Sequence, residues 1–361
     1  MRVALVSPYD LGRPGGVQGQ VLGIAEALRR EGDVVSLFAP GTPRAPEAEA
    51  WSSLGASWSV PANGSRAPIA LAPRSWSRLH ASLRAFRPDV VHVHEPFVPL
   101  VGLACLFERR VPLVATFHRA GVDPLYRRAG PLLRQVGRRI DWAVAVSPAA
   151  AATVRQVLGG LWEEVEIIAN GVDLARFSTQ ERARRDRPLV VFVGRHEPRK
   201  GLEVLLEAIC RCELELECVV VGDGLGRTRL EQRYASDARI RFVGECSNLE
   251  LARTLGSADL FVAPALEGES FGVVLLEAMA AGAAVIASDL PGYRAAAGPA
   301  ARYVPPGDIE ALCLAIDGLA RDPTARASLA RAGSERVLEF GFESVAKRYR
   351  ARYLQVVRAS L

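Results

Sequence analysis

Lysine is almost missing from this chain: of its 45 strong bases, all but Lys200 and Lys347 are arginine. Long apolar runs are missing too, and without a stretch of about 20 such residues no segment reads as a bilayer-spanning helix. The opening Met-Arg-Val-Ala-Leu-Val starts a strand where a signal peptide would need a longer apolar core, so a cytoplasmic chain is expected. The six cysteines (105, 210, 212, 218, 246 and 313) include no C-x-x-C pair, and Cys210-Arg-Cys212 has the wrong spacing for a zinc site. Reduced, mostly buried thiols are expected. The G-x-G-x-x-G order of a dinucleotide fold does not occur, which removes the usual fingerprint of an NAD enzyme. Nor is there an Asp-x-Asp metal motif, or a basic run with interleaved aromatics of the kind that binds nucleic acid.

What is present suits two α/β domains of ordinary size: 361 residues, of which 49% are apolar. The net charge of +5 is held unevenly, with 20 Arg against 15 acidic residues in positions 1–180 and 25 bases against 25 acids in the remainder. Such an excess in the first half points either to an anionic partner, a membrane surface or a phosphorylated acceptor, or to an ordinary solvated surface.

Residues 2–6 read as a buried parallel strand ended by Pro8. The loop Asp10–Val17, with Gly15-Gly16, feeds a helix carrying Val21, Ile24, Ala25 and Leu28 on one face. Gly15-Gly16 is either a tight turn or a place where backbone approaches a ligand at a helix N-terminus. Further strands are expected at 34–39, 90–94, 113–117 and 142–146, alternating with helical segments as in a doubly wound sheet. Two of them end in polar groups, His94-Glu95-Pro96 and Thr116-Phe117-His118, at the carboxyl edge where α/β proteins bind ligands. His118 is thus a site candidate, or a satisfied core histidine. Arg74–Phe86 reads as an amphipathic helix with Trp76, Leu79, Leu83 and Phe86 inward and Arg74, Arg78 and Arg84 off that face. The segment 126–139 is a second basic helix. Either could lie on anionic lipid or simply turn a basic face to water.

After Asn170-Gly171, the charged stretch 182–187 is the expected linker. A second strand and helix series follows, with strands at 189–193, 218–221, 240–243, 260–265 and 284–287. Val221–Gly226 is glycine-rich, but its spacing suits a tight turn as well as a nucleotide loop. Behind the first of these strands lies Gly194-Arg195-His196-Glu197-Pro198-Arg199-Lys200-Gly201. A lysine kept in so arginine-biased a chain argues for a compact ammonium there, and Arg195 with Lys200 would neutralise a diphosphate leaving group. The segment Glu267–Gly282 runs from strand through an acidic turn into a helix. It sets Glu269 and Glu277 eight residues apart, a little over two helical turns, so that two carboxylates can address one bound molecule.

These segments together, from Pro8-Tyr9 and Pro14–Gln18 through Asn63-Gly64-Ser65, His92–Pro96, Ala115–His118, Ala169–Asp173 and Gly194–Gly201 to Glu269…Glu277, resemble the retaining nucleotide-sugar glycosyltransferases of family 4. Within it they look closest to actinobacterial phosphatidyl-myo-inositol mannosyltransferases. The resemblance implies the GT-B fold: two Rossmann-like parallel-sheet domains facing a central cleft, an acceptor-binding domain over 1–175, a nucleotide-sugar domain over 176–342 and a closing helix over 343–361, with cleft closure by domain rotation. It implies GDP-mannose as donor and a phosphatidylinositol-like lipid or polyol as acceptor. Gly16, Arg195 and Lys200 would hold the diphosphate. Glu269 and the backbone of Ser270, Phe271 and Gly272 would take the sugar, and Glu277 the ribose. Tyr9, Gln18, Asn63 and Arg66 would face the acceptor, with His118 near the reacting centre and Arg119 supplying charge. No cofactor is required on this reading and a divalent cation is optional. The chain departs from the pattern at Phe97, Asp123, Asn248 and Leu251, which bear on the acceptor phosphate and the donor base. A family 4 transferase using a UDP- or other NDP-sugar with a different acceptor, soluble or not, a GT-B epimerase or phosphorylase, and a catalytically silent sugar-nucleotide sensor therefore stay open.

Overall fold

The computed structural model describes residues 1–43, 51–62, 65–108, 110–122, 124–159, 165–178 and 185–360. Fifteen strands and fourteen α-helices among these residues fall into two compact units, Met1–Gly171 with Phe342–Leu361, and Val172–Gly341.

The first unit holds β1 (Arg2–Val6), β2 (Val34–Ala39), β3 (Ser52–Ser53), the pair β4 (Ser57–Ala62) and β5 (Ser65–Ala70), β6 (Val90–His94), β7 (Leu113–Phe117), β8 (Trp142–Ala145) and β9 (Glu166–Ile167). Its helices are α1 (Gly16–Arg30), α2 (Arg74–Phe86), α3 (Val101–Cys105), α4 (Pro124–Gly137) and α5 (Pro148–Leu158). The Val-rich strands are buried along most of their length, as a parallel sheet covered on both faces requires. They pair in the order β3-β2-β1-β6-β7-β8-β9, parallel throughout. The antiparallel β4–β5 hairpin was not foreseen, and the Tyr9↔Ile69 bridge ties it to the end of β1.

The second unit contains α6 (Leu174–Ser178), β10 (Leu189–Val193), α7 (Leu202–Arg211), β11 (Glu217–Val221), α8 (Arg227–Arg233), β12 (Ile240–Gly244), α9 (Asn248–Gly256), β13 (Leu260–Ala263), α10 (Val273–Ala280), β14 (Ala284–Ser288), α11 (Pro291–Ala297), β15 (Ala301–Val304), α12 (Ile309–Arg321) and α13 (Pro323–Val337). Its parallel sheet runs β12-β11-β10-β13-β14-β15. Two Rossmann-like parallel sheets are thus present, as the sequence led one to expect.

The last helix, α14 (Phe342–Ala359), packs with the first unit rather than standing apart. Val345, Tyr349 and Tyr353 drive this: they recur on one face at helical spacing and sink into the β1–β7 core, Tyr349 and Tyr353 almost wholly buried. Arg350 adds an ion pair to Asp33, which also holds the N-terminal ammonium. The chain accordingly passes between units at Gly171–Val172 and Gly341–Phe342. The charged stretch 182–187 expected as linker falls inside the second unit, and its residues 182–184 lie outside the described residues.

Candidate active site

In an open α/β sheet a crevice forms where strand order reverses. That reversal lies between β1 and β6 in the first unit and between β10 and β13 in the second. Most of the side chains singled out above follow these four strands or their immediate neighbours.

On the first unit, β6 delivers His92 and His94, and β7 delivers Thr116 and then His118, all buried. His94 Nδ1 lies 2.9 Å from His118 Nε2, and the two rings stack at 5.2 Å. A second side chain, Asn170, hydrogen-bonds His118. His92 is bound on both sides, Nδ1 to the Tyr353 hydroxyl at 2.6 Å and Nε2 to Thr116 Oγ1 at 2.7 Å, with the Tyr349 hydroxyl 3.0 Å from the same threonine oxygen. Burial pushes His92 and His118 down to about 3 and holds His94 well below the ordinary histidine range, so all three imidazoles are neutral at pH 7. His94 Nε2 is buried with no hydrogen-bond partner among the described residues.

Glu95 sits in the left-handed region with φ 51°, a strained conformation for a side-chain-bearing residue. Its carboxylate accepts the backbone N–H of His118 at 2.5 Å and also that of Arg119. Burial raises the Glu95 pKa, and these two donors pull against it. Tyr9, half-buried after β1, feels Glu95, Arg119 and Tyr126 and is likewise raised, mainly by burial. The Arg119 guanidinium covers the Tyr126 ring at 4.7 Å while Nε donates to the Gly121 carbonyl. Gln18 is buried beside Gly15, and Gly16 opens α1 with free space where a Cβ would stand. Arg66 lies on β5 opposite Pro61. Asn63, Gly64 and Asp123 lie outside the described residues. Phe97 is no lining group: it is buried against Phe117 and Tyr126 at 5.6 and 6.2 Å, so the departure there is absorbed by packing.

On the second unit the loop after β10 and the turn after β13 form one chain of charges. Arg195 pairs with Glu197 at 3.0 Å, Glu197 with Arg199 at 3.0 Å, Arg199 with Glu269 at 3.2 Å, and Glu269 with Lys200 at 2.6 Å. Three cations share two carboxylates, leaving one positive charge in excess. The Glu269 side chain is only 8% exposed, which strengthens its pairing with Lys200. Sequence reasoning passed over Glu197 and Arg199 as pairing groups, although both stand in the same motif. It also passed over Gly292, at the start of α11: a Cβ there would come within 2.2 Å of the Glu269 carbonyl oxygen, so glycine lets the acidic turn rest on that helix. Gly201, at φ +68°, similarly lets the lysine turn pass against the Pro264 carbonyl. In Val221–Gly226, a Cβ on Gly222 would come within 2.0 Å of the Gly194 carbonyl, which accounts for a glycine by backbone packing.

Ser270 and Gly272 lead into α10, Gly272 being its N-cap at φ 99°. The Phe271 ring is buried edge-on against Phe340 at 5.8 Å, so only its backbone is available to a ligand. Because α10 starts at Val273, Glu277 lies about one turn into the helix, closer to its N-terminus than the eight-residue spacing suggested. Burial raises Glu277 to about 7, with Arg176 of α6 pulling it back. Asn248 is exposed at the start of α9, and Leu251 is half-buried one turn later.

Residues 14–176 match Glycosyltransferase Family 4, and residues 175–336 match Glycosyl transferases group 1. The phosphatidyl-myo-inositol mannosyltransferase of Mycolicibacterium smegmatis is 37% identical over 355 residues, covering 96% of this chain and 91% of that one. A GDP-mannose-dependent alpha-mannosyltransferase of the same organism is 34% identical over 81% of each. Among solved structures, a glycosyltransferase from Rickettsia africae ESF-5 superposes with a TM-score of 0.81 at 18% identity, over 99% of this chain and 98% of that one. With identity of this order running nearly end to end, the chain belongs to glycosyltransferase family 4.

Proposed function

We propose that this enzyme transfers mannose from GDP-mannose, with retention, to a hydroxyl of a phosphatidyl-myo-inositol-like acceptor at the cytoplasmic face of a membrane. The observation that carries the reading is the 37% identity to a phosphatidyl-myo-inositol mannosyltransferase along 96% of the chain. The charge chain on the second unit supports it chemically. A diphosphate entering beside Arg195, Arg199 and Lys200 competes with Glu197 and Glu269 for the same guanidinium and ammonium groups, which then stabilise the charge that develops as the sugar departs. Glu269, loosened from Lys200, is left to accept sugar hydroxyls and to face the oxocarbenium-like centre. Glu277 takes the ribose. No organic cofactor is called on, and because the cations do the neutralising, a divalent ion is an optional addition.

Membrane contact belongs to the same proposal. Arg74, Arg78 and Arg84 are exposed on α2 while Leu79 and Leu83 are buried, so the basic face is turned outward. Attraction of such a face to anionic lipid is screened by salt.

The test is incubation with GDP-mannose or a UDP-sugar, with and without vesicles containing phosphatidylinositol, reading nucleotide release and mannolipid by mass spectrometry. GDP release that depends on the lipid is expected, together with vesicle binding that fades with salt and is lost when Arg74, Arg78 and Arg84 are changed to Glu. Release from a UDP-sugar with a soluble acceptor, or no release from any donor, would overturn the reading.

A further inference from the structure

The second unit carries a cluster that the transfer reaction does not use. Cys212 ends α7, and Cys313 and Asp317 lie four residues apart, on one face of α12, which packs against α7. The two sulfurs are 3.5 Å apart, and one ligand atom from each of the three residues lies within 4.8 Å of the others. We propose that Cys212, Cys313 and Asp317 form a site for a thiophilic divalent cation, with zinc as the ion that fits best.

Three features favour it. Tetrahedral zinc with Zn–S bonds of about 2.3 Å places two thiolates about 3.8 Å apart, close to the spacing found, whereas a disulfide needs about 2.05 Å. Asp317 Oδ1 is buried and makes no close hydrogen bond among the described residues, Oδ2 faces Arg321 at 3.9 Å, and the carboxylate neighbours the Cys212 thiol, so it is turned toward the two sulfurs. A buried carboxylate oxygen is costly unless a donor or a cation meets it. The ligand set itself is selective: two thiols prefer zinc to the hard, oxygen-seeking magnesium and calcium.

Zinc entering here releases the thiol protons as the Zn–S bonds form, and two thiolates plus a carboxylate around Zn2+ leave a single negative charge beside Arg321. A water completes the tetrahedron, since among the described residues only three candidate ligands are grouped there. The bound ion would fasten the end of α7 to α12, giving this unit a clamp in place of a disulfide.

The full-length reduced protein is titrated with zinc, and metal content, proton release and thermal midpoint are read. Cobalt is used as a second probe because thiolate ligation gives it a charge-transfer absorption. One zinc per chain, one to two protons released, a midpoint raised by several degrees and a thiolate-to-cobalt band are expected. All four should be lost in Cys313→Ser and weakened at least tenfold in Asp317→Asn, whose half-buried side chain is a milder change to the fold. Failure to bind zinc, binding that survives both substitutions, or closure of the two thiols to a disulfide by glutathione disulfide that zinc does not prevent would each overturn the proposal.

Discussion

His118 does not stand free at the end of β7: its Nε2 is held 2.9 Å from Nδ1 of His94, and Asn170 binds the ring as well. The ring that the family resemblance places near the reacting centre is thereby fixed in orientation, and its burial keeps it neutral. His118→Ala should lower transfer by at least tenfold while leaving nucleotide affinity by calorimetry within about twofold, the signature of a group felt only in the transition state. An equal loss of affinity and turnover would take His118 away from the acceptor.

The same histidines set an acid limit on stability. The folded values of His92 and His118 lie near 3 and the ordinary value is 6.5, so the unfolded chain binds their protons first. A base depressed in this way contributes stability that is complete above pH 6.5 and is lost as pH falls toward 3. Each such group adds a slope of about 1.4 kcal/mol per pH unit within that window. Urea midpoints at pH 7, 6 and 5 should therefore fall steadily, and less steeply in His118→Asn. A wild-type midpoint that is the same at pH 7 and pH 5 would count against neutral, buried imidazoles.

For the donor groups, Lys200→Ala and Glu269→Ala should each lower turnover by about two orders of magnitude, since one preorganised electrostatic partner is worth on the order of 3 kcal/mol. Arg199 also touches Glu269, so Arg199→Ala should cost measurable turnover too, and in the double variant with Lys200→Ala the losses should not add. Gly292→Ala gives a control without charge: its new methyl displaces the Glu269 backbone and should weaken donor binding. Full activity in folded Lys200→Ala and Glu269→Ala would remove both from the site.

Glu277 predicts a pH effect of the opposite sense. Its folded value is raised to about 7 from 4.5, so the folded state keeps a proton that the unfolded chain gives up, and stability declines as pH rises from 4.5 through 7. Ribose hydroxyls donate better to the carboxylate, so GDP affinity should rise over the pH range near 7. Glu277→Gln should flatten that rise and stabilise the free protein at pH 8 but not at pH 4. Arg176→Ala, by removing the charge that favours the carboxylate, should move the inflection upward. A GDP affinity that varies with pH identically in wild type and Glu277→Gln would separate Glu277 from the ribose.

Much of this site could be read in the sequence because its chemistry is local. The loop Gly194–Gly201 and the turn at Glu269 carry their glycines and charges within a few residues of a strand end, and strand ends are legible from Val-rich runs. What stayed hidden depends on distant partners. Gln20, an unremarkable residue of α1, exchanges two hydrogen bonds with the Gly171 peptide at 2.8 and 2.6 Å and so steadies the point where the chain leaves the first unit. The return of α14 to that unit rests on Tyr349 and Tyr353 meeting Thr116 and His92, contacts that helical periodicity announces only as an apolar face. Glu95 was visible as part of a motif, but its role as acceptor for two backbone N–H groups arises from a positive φ that no residue type advertises.

The acceptor remains the most exacting test, because a lipid phosphate brought beside His118 needs a cation, and an unpaired charge shielded from water costs several kcal/mol. Arg119 is the described cation at that edge: its guanidinium lies over Tyr126 and acts on Tyr9, and its backbone N–H binds Glu95. Turning from the Gly121 carbonyl to a phosphate would exchange a guanidinium bond to a neutral acceptor for one to a charged acceptor, a favourable exchange. Arg119→Ala should then abolish transfer to phosphatidylinositol while sparing any transfer to free inositol, and Arg119→Lys should restore only part of it, since an ammonium cannot both stack on Tyr126 and bind a phosphate bidentately. Comparing mannose incorporation into vesicle lipid and into free inositol for these two variants decides the matter. Brisk transfer to the lipid by Arg119→Ala would assign the phosphate to another cation, with Arg66 on β5 the next to test.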